Sequence, residues 1–323
     1  MTADAKVVRN QPGFIHATVR LMCAWFGWRT EARANPDDQS VDWVRIVPYM
    51  GMHLMCFGVI WVGISVTAVA VAVGLYFVRM FAITAFYHRY FSHRTFKTSR
   101  FCQFIFAVMG LSAAQRGPLW WSSHHREHHR NSDGEDDVHS PHQHGFWWSH
   151  VGWITSRSNY RTKLHAIPDL VKFPELRLLE RLELVVPILL ATFLFGVGAA
   201  LEAWVPAAKT TGPQMLIWGF FISTVFVAHA TFTINSLSHL FGNKRYKIGD
   251  ESRNNIWLAF LTLGEGWHNN HHYYSGSVRQ GFYWWEVDIS YYGLWLLSRI
   301  GLVWDLKPVP RKVREANHIQ PAA

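Results

Sequence analysis

Apolar residues in this chain come in long unbroken runs, not in the alternation of strands or the spaced stripe of a surface helix. Across residues 46–87 the single charged side chain is Arg79. A helix of that length would measure about 60 Å, roughly twice the hydrocarbon core of a bilayer. The run therefore predicts a helical hairpin that turns near Gly63-Ile64-Ser65. Arg79 falls toward the inner end of the second helix, where it must snorkel or pair. Two more uncharged runs, 184–200 and 215–235, predict a second hairpin, with Pro187 in a first turn that tolerates it. Glu202, Lys209 and Pro213 lie in the link between them. The four spans are placed at about 46–65, 67–87, 184–203 and 214–235. Residues 101–114 are apolar but too short to cross, and predict a buried or in-plane helix. Residues 281–306 are apolar and aromatic yet carry Glu286, Asp288 and Arg299. They predict an amphipathic helix at the interface, not a fifth span.

Composition agrees with a membrane protein. Of 323 residues half are hydrophobic and 16% charged, against about a quarter charged in soluble domains. The net charge of +9 alone would admit nucleic acid, but its distribution does not favour it. Lysine and arginine number 6 in residues 1–45, 13 in 88–182 and 10 in 236–323, with Lys209 in a turn on the other side. The positive-inside rule makes the three large segments and both termini cytoplasmic. Cys23, Cys56 and Cys102 stand far apart and predict neither a disulfide nor a thiolate metal site. Residues 1–40 show no secretory signal pattern. The expected organisation is a cytoplasmic segment 1–45, a membrane domain 46–310 and a tail 311–323.

Nineteen histidines are present, and most cluster. "HRYFSH" holds His88 and His93; "HHREHH" holds His124, His125, His128 and His129; "NSLSH" holds Asn235 and His239; "HNNHH" holds His268, His271 and His272. Residues at i, i+3 and i+4 share a helix face. His125, His128 and His129 therefore aim at one point, as do His268, His271 and His272. His124 lies about 100° round the helix and reads as a supporting or surface residue. His88 and His93, five apart, cannot face one metal from a regular helix: either the helix ends between them or they serve two metals. Without His124 the groups supply nine imidazoles, too many for one ion. The all-nitrogen set suits iron, copper, nickel or zinc. Glu127, Asp133, Glu135, Asp136, Asp137, Asp250 and Glu265 are positioned in sequence to accept imidazole N–H bonds. His150, in "FWWSHVGW", is read as another residue behind the ligands, and His53 and His229 as span residues bonded within the bundle. His16, His139, His142, His144, His165 and His318 are read as structural or surface.

The boxes HxxxxH, HxxHH and HxxHH, with two apolar segments between the second and third, resemble those of integral-membrane fatty acid desaturases. "HRYFSHRTFKTS", "HHREHHRNSDGEDDVHSP", "GFWWSHVGW", "TINSLSHLFG" and "GEGWHNNHH" are similar to the acyl-CoA delta-9 (stearoyl-CoA) type, from about residue 43 to 310. His124 stands where animal members carry an acidic residue, and no haem motif HPGG is present. The resemblance implies an all-α membrane protein of two hairpins, with a cytoplasmic helical cap holding a dimetal site. Its two iron ions would be held by His88, His93, His125, His128, His129, His239, His268, His271 and His272, with Asn235 reaching one of them directly or through water. Zinc is expected to substitute in a foreign host. Asp137, Glu265 and His150 would stand behind the ligands. The implied chemistry is O2-dependent insertion of a cis double bond, delta-9, into a long-chain acyl-CoA or related thioester. Electrons would come from a separate ferredoxin, rubredoxin or cytochrome b5-like donor. Ala72 and Tyr76 would close the acyl tunnel, and Gln115, Arg116, Trp120, Arg157 and Lys163 would meet the headgroup. The implied location is a bacterial inner membrane, with no nucleic-acid partner. A lipid or alkane hydroxylase, and a non-enzymatic metal transporter, are the competing readings. The first would make an alcohol, and the second would line a through-pore with histidines.

Overall fold

The computed structural model describes residues 38–43 and 46–319, so most of the expected 1–45 segment and the last residues of the tail lie outside the described residues. The first apolar helix, α1 (Ile46–Cys56), continues as an apolar stretch to Val62 with an irregular turn at Phe57–Gly58. Gly58 fits closely there: a Cβ would meet the backbone Met55 O at 2.9 Å and Ile217 Cδ1 at 2.6 Å. The chain then turns where predicted. Gly63 takes φ +68°, open to glycine without strain. The Ser65 side chain accepts from Ala68 N at 3.3 Å and caps the next helix. That helix, α2, runs Val66–Ser92. After α3 (Arg100–Leu111) and α4 (Pro118–Asn131) come α5 (Val185–Trp204) and α6 (Gly212–Leu240), α7 (His268–Tyr273) and α8 (Ile289–Arg299).

Among the described residues, α2, α5 and α6 are long and apolar enough to cross a membrane, while Ile46–Val62 is shorter. The chain is mostly helical; a two-residue antiparallel ladder, Lys97–Thr98 with Val303–Trp304, joins the all-α expectation. α2 packs against α6, α6 against α5 and α1, and α3 and α4 against the last turns of α2.

Among the described residues three stretches are wound as π-helix: Ala82–Ser92 in α2, Met215–Ile222 in α6 and the short Trp148–Gly152 between α4 and α5. Arg79 sits between the first of these and the second. It neither snorkels nor meets a carboxylate. It is 1% exposed and donates to Thr224 Oγ1 and Ser223 Oγ, each at 2.5 Å, and to Gly219 O and Ser112 O, each at 3.4 Å. Replacing Arg79 by Met leaves buried acceptors without donors, each costing about 1–3 kcal/mol. The expected result is a thermal midpoint in detergent lowered by at least about 5 °C, and an unchanged midpoint contradicts the clamp.

The predicted 281–306 helix is reduced to α8. Asp288 caps it by accepting from Tyr291 N at 3.0 Å. Glu286 and Asp288 turn inward instead of facing water, Glu286 toward Arg245 and Asn270 Nδ2 and Asp288 toward Arg89. Trp295, Leu296 and Ile300 remain on the exposed side. The start of α4, which carries "HHREHH", has no capping side chain of its own at Gly117. Two carboxylates replace it: the buried Glu183 accepts from Gly117 N at 3.0 Å, and the partly buried Glu180 from Leu119 N and Trp120 N, both at 2.9 Å.

Candidate metal centre

All nine box histidines meet beneath α2 and α6, in two groups. His88, His93, His125, His129 and His271 form one, and His128, His239, His268 and His272 the other; within each, one nitrogen per ring lies within 4.8 Å of every other. Nitrogen faces nitrogen across each group: His93 Nε2 to His125 Nε2 at 2.8 Å, His88 Nε2 to His271 Nε2 at 2.9 Å, His271 Nε2 to His129 Nε2 at 2.9 Å, and His239 Nε2 to His268 Nε2 at 3.1 Å. With bonds near 2.1 Å, neighbouring imidazole ligands of one ion lie about 3 Å apart and opposed ones about 4.2 Å. Each set therefore fits one ion. His272 Nε2, buried and without a protein partner, is a free donor atom aimed into the second group.

The spacing of His88 and His93 resolves by the first of the two expected routes, with an unexpected winding before the end. The helix ends at Ser92, between them, with His93 as its C-terminal cap, yet both rings go to the same group. It is π-wound through Ala82–Ser92, and His93 N bonds His88 O at 3.2 Å. In i→i+5 winding residues five apart sit one above the other. The two HxxHH boxes also differ from expectation. Neither triplet converges on one point. His125 and His129 go to one group and His128 to the other, while His268 and His272 go to the second and His271 to the first. Positions i+3 and i+4 lie on opposite sides of the line through i, about 100° apart, so two helices facing each other can exchange one ligand each.

Carboxylates stand behind four of the rings. His128 Nδ1 donates to Asp137 Oδ2 at 2.9 Å, His239 Nδ1 to Asp133 Oδ2 at 2.7 Å and His272 Nδ1 to Asp250 Oδ2 at 2.8 Å, and His88 Nδ1 pairs with Glu265. Such bonds set the tautomer that leaves Nε2 as a lone-pair donor. Of the other carboxylates proposed from sequence, Glu127 turns away to Arg130 and His165, and Glu135 and Asp136 are exposed. Burial, then neighbouring imidazoles, hold His93, His125, His129, His268, His271 and His272 well below the ordinary histidine range. Burial pushes Asp133 up, but hydrogen bonds headed by that from His239 outweigh it and hold it at about 2. Replacing Asp137 by Asn is expected to weaken metal retention about 10–100-fold, read by chelator competition; unchanged retention contradicts the role.

These lowered values give the metal-free chain a pH dependence. Below pH about 6.5 the unfolded histidines take up protons that the folded ones resist. Stability is thus present above that value and lost as pH falls. Chelated protein is expected to melt several degrees lower at pH 5.5 than at pH 7.5, and a flat profile contradicts the assignment.

A cavity of about 790 Å³ adjoins the centre, lined by Gln115, Arg116, Trp120, Trp121, His124, His125 and Asn235 among others. A small pocket continues it past Asn235, His128 and His268 to Met80, Ile83 and Thr84. Ala72 and Tyr76 lie outside both linings. Ala72 O accepts from Ser223, and the Tyr76 hydroxyl is turned to Leu261 O. Arg157 is also outside the linings, half exposed and 3.7 Å from Asp38. Lys163 N is bonded to Ser123 Oγ.

His124 is no surface residue. It is buried between Trp120 and Trp153 in the cavity wall, with Nε2 3.1 Å from Arg161 O, and burial lowers it to about 3. His150 does not touch the nine rings; it bonds Ser236 Oγ and His229, which bonds His53. Sequence reading missed His139, buried 4.3 Å from the His128 ring, and His142, whose Nε2 meets His239 O at 3.0 Å. Their closeness in sequence to Asp137 was the available signal.

The fatty acid desaturase family model matches residues 52–304. The chain is 35% identical to an sn-1 stearoyl-lipid 9-desaturase of Anabaena variabilis, over 86% of this chain and 98% of the relative. It is 33% identical to a hex-5-enoyl-[acyl-carrier protein] acetylenase of Moorena producens, over 85% and 88%, and 36% identical to an acyl-CoA 5-desaturase of Anemone leveillei, over 85% and 82%. With a helical fold, membrane-length apolar helices and a histidine centre that can hold metal, this chain belongs to the fatty acid desaturase family and is an oxidoreductase that desaturates fatty acyl chains.

Proposed function

We propose that the enzyme inserts a cis double bond at delta-9, using two iron ions, one on the five-histidine group and one on the four-histidine group completed by Asn235. The observation that carries this is the division of nine histidines, all buried or partly buried, into two ligand sets beside an acyl-sized cavity. Asn235 lines both that cavity and the inner pocket and lies one turn before His239, which favours it as the extra donor. Relatives named as 9-desaturases support the bond position.

When bound, the metal pair supplies O2 activation, the oxidising power that an unactivated CH2–CH2 unit requires. In the balanced reaction, two neighbouring carbons each lose a hydrogen; O2 takes these with two protons and two electrons and leaves as two waters. The chain's part is positioning and exclusion. Trp121, its ring 5.0 Å from that of His125, walls the acyl path beside the first group. Gln115 Nε2, 3.0 Å from Thr231 Oγ1, ties α6 to the segment before α4 and keeps that wall closed to water. The carboxylates behind His88, His128, His239 and His272 hold the rings in place through turnover.

In this reading Ile46–Val62 is a fourth, short crossing. Residues 46–310 form the membrane domain of a bacterial inner-membrane protein, with the metal centre and termini cytoplasmic, and a separate redox protein delivers electrons. Expression in a host lacking delta-9 unsaturation, followed by mass spectrometry of fatty-acid disulfide adducts, tests the reading. A cis-9 alkene is expected. An alcohol without alkene would favour the hydroxylase alternative.

A further inference from the structure

Three histidines outside the metal centre form a row of their own. His53, on α1, has Nδ1 2.8 Å from Tyr49 O and Nε2 3.0 Å from His229 Nε2. His229, on α6, has Nδ1 3.0 Å from His150 Nε2. His150, in the π-wound turn Trp148–Gly152, has Nδ1 3.0 Å from Ser236 Oγ. Its neighbour Ser149 donates from Oγ to Asn235 O at 2.9 Å. One set of neutral tautomers closes the whole row. Tyr49 O can only accept, so His53 donates from Nδ1 and accepts at Nε2. His229 then donates from Nε2 and accepts at Nδ1, and His150 donates from Nε2 and accepts from Ser236 at Nδ1. The row starts at the turn of α6 that carries Asn235 and ends inside α1.

α1 has need of such a tie. None of its residues is buried, so no packed core fixes its height against α6. Past its end, Gln214 Nε2 donates to Val62 O at 2.8 Å and Trp218 Nε1 to Gly63 O at 2.9 Å. Along α1 itself, among the described residues, the His53–His229 bond is the side-chain hydrogen bond to another element. Hydrogen bonds from histidine hold membrane helices together, and unlike apolar contacts they are satisfied at one register only. Val47, Tyr49 and Met52 of the same helix line the acyl cavity, and Asn235 lines it from α6. A saturated acyl chain carries no polar mark along its CH2 groups. The carbon that meets the metal centre is therefore set by where the cavity wall stands relative to the ligands.

We propose that His53, His229 and His150 are positioning residues, a brace that keeps the α1 wall of the cavity in register with Asn235 and so fixes which carbons are desaturated. This rests on the desaturase reading and adds how the bond position is held. His229→Phe keeps the bulk of the ring but removes both of its bonds, while His229→Gln keeps one acceptor and one donor. The first readout is hydrogen exchange of the purified, metal-loaded protein. His229→Phe is expected to speed exchange of the α1 amides at least about fivefold, with α2, α4 and metal content unchanged, and His229→Gln to stay near wild type. The second readout is double-bond position in cells fed deuterated stearate, from the masses of fatty-acid disulfide adducts. The share of isomers away from the wild-type position is expected to rise at least about tenfold in His229→Phe and to return to wild type in His229→Gln. Less product in the wild-type isomer pattern is what a merely structural role would give, and it overturns the proposal; so does wild-type exchange of α1 in His229→Phe. Where His229→Phe does not accumulate, His53→Leu breaks the same link from the α1 side and is judged by the same two readouts. No alkene at any position from the wild-type chain overturns the desaturase reading, while exchange of α1 still decides whether the brace exists.

Discussion

Replacing His271 by alanine abolishes desaturation and releases the ion of the five-histidine group. His271 is the hub of that group, with its Nε2 2.9 Å from the Nε2 of both His88 and His129 and its ring against His93. It is also the ligand that α7 sends across to the group otherwise built on α2 and α4. No other side chain of α7 can replace it, since His268 and His272 serve the second group. The expected loss in product formation is at least about a thousandfold, equivalent to roughly 4 kcal/mol of barrier. Metal content is expected to fall by one ion per chain. His124→Ala is the control for the same box. Its loss opens the cavity wall beside Trp120 and Trp153 and lowers the rate, but both ions stay. Equal metal content in His271→Ala and wild type contradicts the ligand assignment.

Arg89→Met yields no folded protein. Arg89 is fully buried and donates to Asp288 at 2.9 and 3.1 Å, to Glu265 at 3.0 Å and to Val278 O at 2.9 Å. Its removal strands Asp288 without a cation, and Asp288 also caps α8 and accepts from Gln280 N at 2.7 Å. Glu265 keeps His88 as a partner but loses its counter-charge. Breaking a buried pair costs about 3–5 kcal/mol, and here two pairs share one arginine, against a typical stability of about 5–15 kcal/mol. Arg89→Lys is expected to fall between, because an ammonium cannot fork to two carboxylates. Fluorescence-detected size exclusion of a tagged protein reads the outcome. A monodisperse peak at wild-type yield contradicts the network.

What could be read from sequence was what depends on composition and local spacing. The turn at Gly63–Ser65, the apolar runs and the identity of the nine histidines all follow from residue types within a few positions. What could not be read depends on winding and on distant partners. Nothing in "HRYFSH" announces a π-helix, and α3 and α4, which pack on those turns, lie outside that stretch of sequence. The exchange of His128 and His271 between groups needs two helices facing each other. Arg79 had no carboxylate to find in sequence, and its partners lie about 140 residues away on α6. Ala72 and Tyr76 were placed by the resemblance alone, and the cavity runs instead along α1, α5 and α6. The helix expected over 281–306 is shortened to α8 because Glu286 and Asp288 turn inward to pair with Arg245 and the buried Arg89.

The central claim is that two separate histidine sets each hold one iron. The most direct measurement is iron per chain in protein from iron-supplemented cells, combined with X-ray absorption of the metal shell. Two ions per chain in a nitrogen and oxygen shell without sulfur is the expected result. A single ion per chain in protein that desaturates at full rate would contradict it.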